Sequence, residues 1–233
     1  MPSGSVATTW LSSSPGTGEH PPVTVYLVRH GEVDNPDRVV YADMPGFGLS
    51  DRGRAEAAAA AKHLAGVGAE AIYASPLQRA QETAGIIGAA CGLEVQTRPD
   101  LTEWLVARRW KGITWERIPE VFPGELEAYL EHPTDLPFAE ESIPRLGERI
   151  AAAARELAAG HEDGKIILVS HQDPIQAGRL VLRGLPLDEL HQDRPGHCDV
   201  LTLEPGDPWV ETGSWTPTID GPPPPEWPPV SSP

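Results

Sequence analysis

Two histidines each come directly after a run of apolar residues that is typical of a buried β-strand. His30 follows the segment 23–28 and Arg29, and His171 follows the segment 165–169 and Ser170. Open α/β sheets bind ligands beyond the carboxyl ends of their strands. An imidazole in that place can act as a nucleophile, as a base or, when protonated, as a donor to an anion. The sequence therefore predicts a site with two histidines at one edge of a sheet.

Two arginines accompany these histidines. Arg29 precedes the first histidine, and Arg79 lies in the first turn of a helix that we expect to follow the strand Ala71–Ala74, with Ser75 as its N-cap. An arginine in the first turn opposes the helix dipole by about 0.3–1 kcal/mol, which favours a functional reason for it. A guanidinium group has a planar fork of donors that matches phosphate oxygens. We therefore expect both arginines to bind an anion beside the histidines.

Four segments of the chain, in this order, resemble the signature motifs of the histidine phosphatases, the phosphoglycerate-mutase-like superfamily. They are Arg29-His30-Gly31-Glu32, Ser75-Pro76-Leu77-Gln78-Arg79-Ala80, Glu103 with Trp110 and Gly112, and Val169-Ser170-His171. The resemblance covers residues 23–203, which is most of the chain.

The resemblance implies a role for each matching residue. His30 is the implied nucleophile, which becomes phosphohistidine, and Glu103 is the implied proton donor. The implied phosphate ligands are Arg29, Arg79, the catalytic His171 and Asn35, which lies in the loop after the first motif. The residue types alone leave open which histidine attacks, and the resemblance assigns the attack to His30.

Some positions depart from the family pattern. Lys111 stands where an acidic residue is common, which changes the charge near the site. Gln172 stands where a small residue is usual and is bulky enough to narrow the pocket. Asp173 and Pro174 are suited to cap and to open the next helix. His197 lies just before the last expected strand, where it could approach the site.

Strand patterns alternate with helical patterns along the chain. Ser50 is a suitable N-cap for an Ala-rich helix that ends at Leu64, and Ser142 begins a helix with apolar residues at helical spacing. We predict an α/β fold, a three-layer α/β/α sandwich with a central, mostly parallel sheet and helices on both faces. The predicted organisation is a flexible N-terminal arm (1–22), a histidine phosphatase domain (23–206) and a Pro-rich C-terminal tail (207–233).

The function predicted from these residues is metal-independent hydrolysis of a small phosphorylated metabolite through phosphohistidine. No metal or cofactor is implied, because the remaining histidines lack metal-ligand spacing and the arginines supply the positive charge. One alternative is a phosphoglycerate-mutase-type phosphotransferase, although the interval between Glu103 and His171 is shorter than in mutases. An alternative of another class is a non-catalytic protein that binds a phosphorylated ligand.

Composition restricts partners and location. The net charge of −16 argues against nucleic-acid binding. No segment is apolar enough to span a membrane, and the N-terminus lacks the features of a secretory signal. The two cysteines show no paired spacing, which is typical of reduced thiols in a cytoplasmic protein. We expect a cytoplasmic protein whose partner is a small phosphate ester, with a homodimer as a candidate assembly.

Overall fold

The computed structural model of the protein describes residues 23–161 and 164–221. The predicted N-terminal arm lies outside the described residues, and so do residues 222–233 of the predicted Pro-rich tail.

Strands and helices alternate through the described residues. The strands are β1 (Thr24–Arg29), β2 (Ala71–Ala74), β3 (Val95–Thr97), β4 (Lys165–Ser170), β5 (Val200–Glu204) and β6 (Val210–Trp215). The helices are α1 (Asp51–Leu64), α2 (Gln78–Cys91), α3 (Ile118–Val121), α4 (Glu125–Glu131), α5 (Ile143–Ala159) and α6 (Gln172–Leu182). The predicted caps of α1 and α5 are confirmed, because the Ser50 and Ser142 hydroxyls each accept a hydrogen bond from a backbone N–H of the first turn.

The six strands form one sheet in the order β3-β2-β4-β1-β5-β6. β1 pairs with β4 in parallel, so that Arg29 lies opposite Ser170. β2 is parallel to both of its neighbours, whereas β5 is antiparallel to β1 and to β6. His30 and His171 therefore leave the sheet side by side, because each follows the last residue of one of two adjacent parallel strands.

The central strands β1, β2 and β4 are buried on both faces, as expected for a sheet between two helical layers, whereas the edge strands β3 and β6 are largely exposed or half-buried. In β1, Val25 and Leu27 belong to a core shared with α5 and α6, whereas Tyr26 and Val28 belong to a core shared with α1 and α2. This alternation follows from the two-residue period of a strand. The predicted three-layer α/β/α fold with a mostly parallel sheet is confirmed.

A third apolar cluster packs residues from the segment between β3 and α5 against α6. Trp104, Trp110 and Tyr129 are buried in it. These three aromatic side chains thus contribute to a core. The segment that carries Glu103 rests on this cluster.

Two helix starts differ from the prediction. Helix α2 begins at Gln78, so Ser75 is not its N-cap; the Ser75 hydroxyl instead lies 2.7 Å from His171 Nε2. Helix α6 begins at Gln172 rather than after Asp173, and the Asp173 carboxylate accepts a hydrogen bond from the Tyr129 hydroxyl. In both cases a side chain suited to capping is bound by a residue distant in sequence.

The sheet extends beyond the predicted domain boundary at residue 206. Val210–Trp215 form β6, which pairs with β5 along the edge of the sheet. Within the described residues, no helix is both long and apolar enough to cross a membrane. Both cysteines are free thiols, and Cys198 is buried.

Candidate active site

His30 is held at the end of β1 by its own backbone and by α2. Its backbone N–H donates to the Ser170 carbonyl of the neighbouring strand at 3.0 Å. The next peptide is fixed in turn, because the Gly31 N–H donates to the Thr83 hydroxyl of α2 at 3.1 Å. A side chain at Gly31 would collide with the Gly53 carbonyl of α1, 2.5 Å from an added Cβ, so only glycine fits here.

The two ring nitrogens of His30 have different partners. Nδ1 lies 2.8 Å from the Gly31 carbonyl, which can only accept, so Nδ1 carries the hydrogen. Nε2 lies 3.2 Å from Nε of Arg79, which can only donate, so Nε2 carries the lone pair. The surroundings therefore fix the tautomer in which Nε2 is the nucleophilic atom.

Arg79 projects from the first turn of α2 into the site and is almost completely buried. Its Nη2 donates to the Ala42 carbonyl at 3.0 Å and lies 3.4 Å from a Glu103 carboxylate oxygen. The Tyr41 ring covers the guanidinium at 4.7 Å. Arg79 thus connects His30, Glu103 and the loop after β1.

Arg29 reaches the same site from the last position of β1. Its Nη1 donates to the Pro195 carbonyl at 2.9 Å, and its Nη2 lies 3.0 Å from His197 Nε2. Arg29 and Arg79 therefore bring two permanent positive charges to the region around His30.

His171 lies beside His30, with ring centroids 5.1 Å apart. Its Nε2 is 2.7 Å from the Ser75 hydroxyl, which also accepts from the Leu77 N–H. The Ser75 hydroxyl can donate its hydrogen to Nε2 while it accepts from the Leu77 N–H, and in that arrangement the imidazole hydrogen lies on Nδ1. Among the described residues, no hydrogen-bond partner lies within reach of this buried Nδ1; Glu103 is the nearest acid, at 3.6 Å. A buried ring nitrogen without a partner is uncommon in folded proteins and marks a place for a ligand atom.

Glu103 is carried into the site by a segment that is fastened on two sides. The Ser170 hydroxyl binds the Leu101 carbonyl at 2.7 Å, and Arg149 of α5 binds the Thr102 carbonyl at 3.0 Å. The Glu103 carboxylate accepts from the Trp104 N–H at 2.9 Å. These contacts hold one carboxyl oxygen toward its own backbone and the other toward Arg79.

Burial and charge shift the proton affinities in this cluster. Burial first, and then the charge of Arg79, lower the pKa of both His30 and His171 well below the ordinary value for histidine. Burial raises the pKa of Glu103 against the opposing charge of Arg79. The site thus favours neutral imidazoles together with a carboxyl group that keeps its proton to a higher pH than a free one.

Three of these side chains, two imidazoles and one carboxylate, are of the types that bind metal ions. The ligand atoms of His30, Glu103 and His171 all lie within 4.8 Å of one another. A divalent cation there would be repelled by the guanidinium groups of Arg29 and Arg79. This set of charges fits an anion better than a metal ion.

The structure brings five of the six predicted site residues together: Arg29, His30, Arg79, Glu103 and His171. The sixth, Asn35, lies in the loop after β1, where its side-chain amide both donates to and accepts from the Val39 backbone. The divergent Lys111 is bound to Asp43 at 3.0 Å, and Gln172 lies 3.3 Å from the Pro195 carbonyl.

Sequence reasoning did not identify Arg149, which fastens the Glu103 segment, or the role of Ser75 as a partner of His171. No local pattern marks Arg149, since it is one charged residue on an amphipathic helix. The position of Ser75 between a strand and a helix indicates a cap, but its partner, His171, follows a strand that is distant in sequence.

The lowered histidine pKa values predict how stability depends on pH. An unfolded histidine gains a proton as the pH falls below about 6.5, whereas a buried neutral one does not, so the free energy of unfolding decreases by about 1.4 kcal/mol per pH unit for each such histidine. We expect His171→Gln to reduce the slope of the free energy of unfolding against pH, between pH 6.5 and 5, by the contribution of one histidine. Urea unfolding in phosphate-free buffer measures it, with the exposed His132→Gln as control. An unchanged slope in His171→Gln would show that His171 is already protonated in the folded state.

The chain is similar to a known protein family and to individual proteins over most of its length. The histidine phosphatase superfamily (branch 1) matches residues 25–215. An uncharacterized protein of Mycobacterium tuberculosis (strain H37Rv) is 38% identical over 191 residues, which cover 77% of this chain and 87% of that protein. Phosphoserine phosphatase 1 of Hydrogenobacter thermophilus is 29% identical over 168 residues, which cover 72% of this chain and 79% of that one.

A solved structure gives the same result for the fold. The mycobacterial glucosyl-3-phosphoglycerate phosphatase in complex with VO3 matches with a TM-score of 0.74 and 28% identity, covering 84% of this chain and 99% of that one. The family is named for its phosphatases, and this neighbour is a phosphatase, an enzyme that hydrolyses phosphate monoesters. Since the family match spans all six strands but for one residue, the chain belongs to the histidine phosphatase superfamily.

Proposed function

We propose that the protein is a metal-independent phosphomonoesterase that acts on a small phosphorylated metabolite through a phosphohistidine intermediate. The observation that carries this proposal is the state of His30, whose Nε2 lone pair is held 3.2 Å from the Arg79 guanidinium while Nδ1 donates to the Gly31 carbonyl. A neutral nucleophile beside fixed positive charge suits attack on a phosphate dianion, which would repel an anionic nucleophile.

In the first half of the reaction, His30 Nε2 gives up the hydrogen bond from Arg79 Nε and attacks phosphorus in line with the ester oxygen. The P–N bond forms as the P–O bond to the leaving group breaks, and the electron pair of that bond goes to the leaving oxygen. Glu103 donates its proton to this oxygen, which releases a neutral alcohol. The positive charge that develops on the imidazole is stabilised by the hydrogen bond from Nδ1 to the Gly31 carbonyl.

In the second half, water attacks the phosphohistidine. The Glu103 carboxylate takes a proton from the water as the new P–O bond forms, and the P–N bond breaks with its electron pair returning to Nε2 of His30. The products are inorganic phosphate and the starting enzyme. One carboxyl group thus serves first as acid and then as base, and its raised pKa suits the first of these roles.

Arg29, Arg79 and His171 surround the phosphoryl oxygens in this proposal. The two guanidinium groups donate charge-assisted hydrogen bonds. The neutral His171 offers its Nδ1–H, which lacks a partner among the described residues. A bound dianion also raises the pKa of His171, which favours uptake of a proton when phosphate binds.

The segment between Glu103 and α5 supports hydrolysis over a mutase reaction. A mutase returns the phosphoryl group to an acceptor hydroxyl and needs further basic residues for the second anionic end of its substrate. The nearby basic residues are already engaged, since Arg108 pairs with Asp43 at 2.9 Å and Arg109 pairs with Glu125 at 2.7 Å. The phosphatases among the similar proteins, named for phosphoserine and for glucosyl-3-phosphoglycerate, support a phosphate ester of a small metabolite. Cytoplasmic location and a homodimer stay predictions.

The nucleophile is tested with p-nitrophenyl phosphate in buffer containing EDTA. We expect the wild type to be active and His30→Ala to lose at least about 10³-fold in kcat/KM, since removing a nucleophile costs most of the catalysis. The matched control is His132→Ala, which changes an exposed histidine and should retain wild-type activity. Activity that survives in His30→Ala would contradict the mechanism, and activity that requires an added metal would contradict metal independence.

The role of Glu103 as proton donor is tested by changing the leaving group. p-Nitrophenolate leaves readily without a proton, whereas a glycerol alkoxide does not. In single-turnover experiments we expect Glu103→Gln to slow phosphoryl transfer from glycerol 2-phosphate by about 10²–10⁴-fold, the usual contribution of general acid catalysis, and to slow transfer from p-nitrophenyl phosphate much less. Equal losses for the two substrates would assign Glu103 a role other than proton donation.

A further inference from the structure

Arg29 is held by a turn at residues 195–199, which we call the Arg29 turn. The Cys198 N–H donates to the Arg29 carbonyl at 3.1 Å, and the Arg29 N–H donates to the Asp199 carbonyl at 3.3 Å. The guanidinium is bound by the same turn, through the Pro195 carbonyl and through His197. Both the backbone and the side chain of Arg29 thus depend on these five residues.

The Arg29 turn is itself well defined. The Asp199 carboxylate accepts from the Gly196 N–H at 2.7 Å, and the Asp199 N–H donates to the Gly196 carbonyl at 3.1 Å. Cys198 is buried at a φ of 56°, a left-handed backbone conformation that a non-glycine residue adopts only when its surroundings fix it. A turn held in this way can present the His197 ring in one position.

The contact between Arg29 and His197 has only one chemical form. A guanidinium group has donors and no acceptor, so Nε2 of His197, 3.0 Å from Arg29 Nη2, must be the acceptor. The hydrogen of the neutral ring then resides on Nδ1. Burial first, and then the charges of Arg29 and Arg52, keep the pKa of His197 well below its ordinary value, which maintains the accepting form.

We infer that His197 is a positioning residue of the active site, whose neutral imidazole accepts a hydrogen bond from Arg29 and thereby orients the guanidinium toward the phosphoryl group beside His30. The inference rests on the proposed function, because it takes Arg29 to be a phosphate ligand. The His197 ring lies 5.8 Å from the His30 ring between centroids. After burial and the charges of Arg79 and His171, the charge of Arg29 also lowers the pKa of His30, as expected for a guanidinium group close to that ring.

Orientation matters here because a guanidinium binds phosphate through parallel donors in one plane. With Nη1 on the Pro195 carbonyl and Nη2 on His197, the plane of Arg29 is fixed before phosphate arrives. Removing the acceptor at residue 197 would leave one side of the Arg29 guanidinium without this contact. Phosphate binding would then have to order the side chain, which lowers the affinity.

The test compares phosphate affinities of variants by calorimetry. We expect His197→Phe, which keeps a ring but has no acceptor, to raise the Kd for inorganic phosphate about 10-fold, the typical effect of a hydrogen bond to a charged group. His197→Gln places an amide oxygen near the position of Nε2 and should stay within about 3-fold of the wild type. His132→Gln controls for the loss of a histidine at a distant, exposed position.

A double-mutant cycle separates positioning from general damage. In an Arg29→Lys background, which lacks the fork, His197→Phe should change the Kd by less than about 3-fold, because the two residues act together. If His197→Phe does not fold, His197→Ala replaces it, and added free imidazole should then restore phosphate affinity.

The results separate the positioning role of His197 from the proposed function. Three results would overturn the positioning role and leave the proposed function intact. The first is wild-type phosphate affinity in a folded variant without an acceptor at residue 197. The others are equal losses of affinity in His197→Phe and His197→Gln, or losses that add to that of Arg29→Lys. Absence of phosphate binding by the wild type would instead overturn the proposed function, and the inference with it.

Discussion

An imidazole that stays unprotonated beside two guanidinium groups is the condition on which this site depends. Arg29 and Arg79 are always charged, and both are largely buried next to His30. A protonated His30 would add a third positive charge in a place poorly screened by water, so burial and these charges keep the ring neutral. The same condition leaves the site with an excess of positive charge in a chain whose net charge is −16. A phosphate dianion neutralises this excess, which gives the site its preference among ligands.

The fold satisfies this condition by bringing distant segments to one edge of the sheet. β1 and β4 are adjacent and parallel, so the residues after their last positions must lie side by side. Helix α2 supplies Arg79 from its first turn and, through Thr83, holds the N–H of Gly31, whose carbonyl fixes the tautomer of His30. The remaining acid, Glu103, comes from a segment fastened to β4 and to α5. The residues that form and support the site therefore come from both helical layers, and they meet at one edge of the sheet.

The features that the sequence predicted are those that a short segment determines alone. His30 and His171 could be placed because apolar runs end directly before them, and the topology of two parallel strands then follows from general rules. The sequence predicts Ser75 as a helix cap because capping is local, whereas its actual partner, His171, follows a strand that is distant in sequence. Val210–Trp215 falls within the predicted Pro-rich tail, and four of these six residues are polar or glycine, so only pairing with β5 makes it a strand. Arg149 carries no signal at all, since its role depends on which carbonyls the fold brings to it.

The central claim is that Nε2 of His30 forms a covalent bond to phosphorus. It is tested most directly by stopping the reaction with alkali during turnover and locating the phosphoryl group by peptide mass spectrometry and phosphohistidine isomer analysis. The account predicts phosphate on His30 and on its Nε2 atom, since Nδ1 is occupied by the Gly31 carbonyl. Phosphate on His171, or on Nδ1 of His30, would contradict the account.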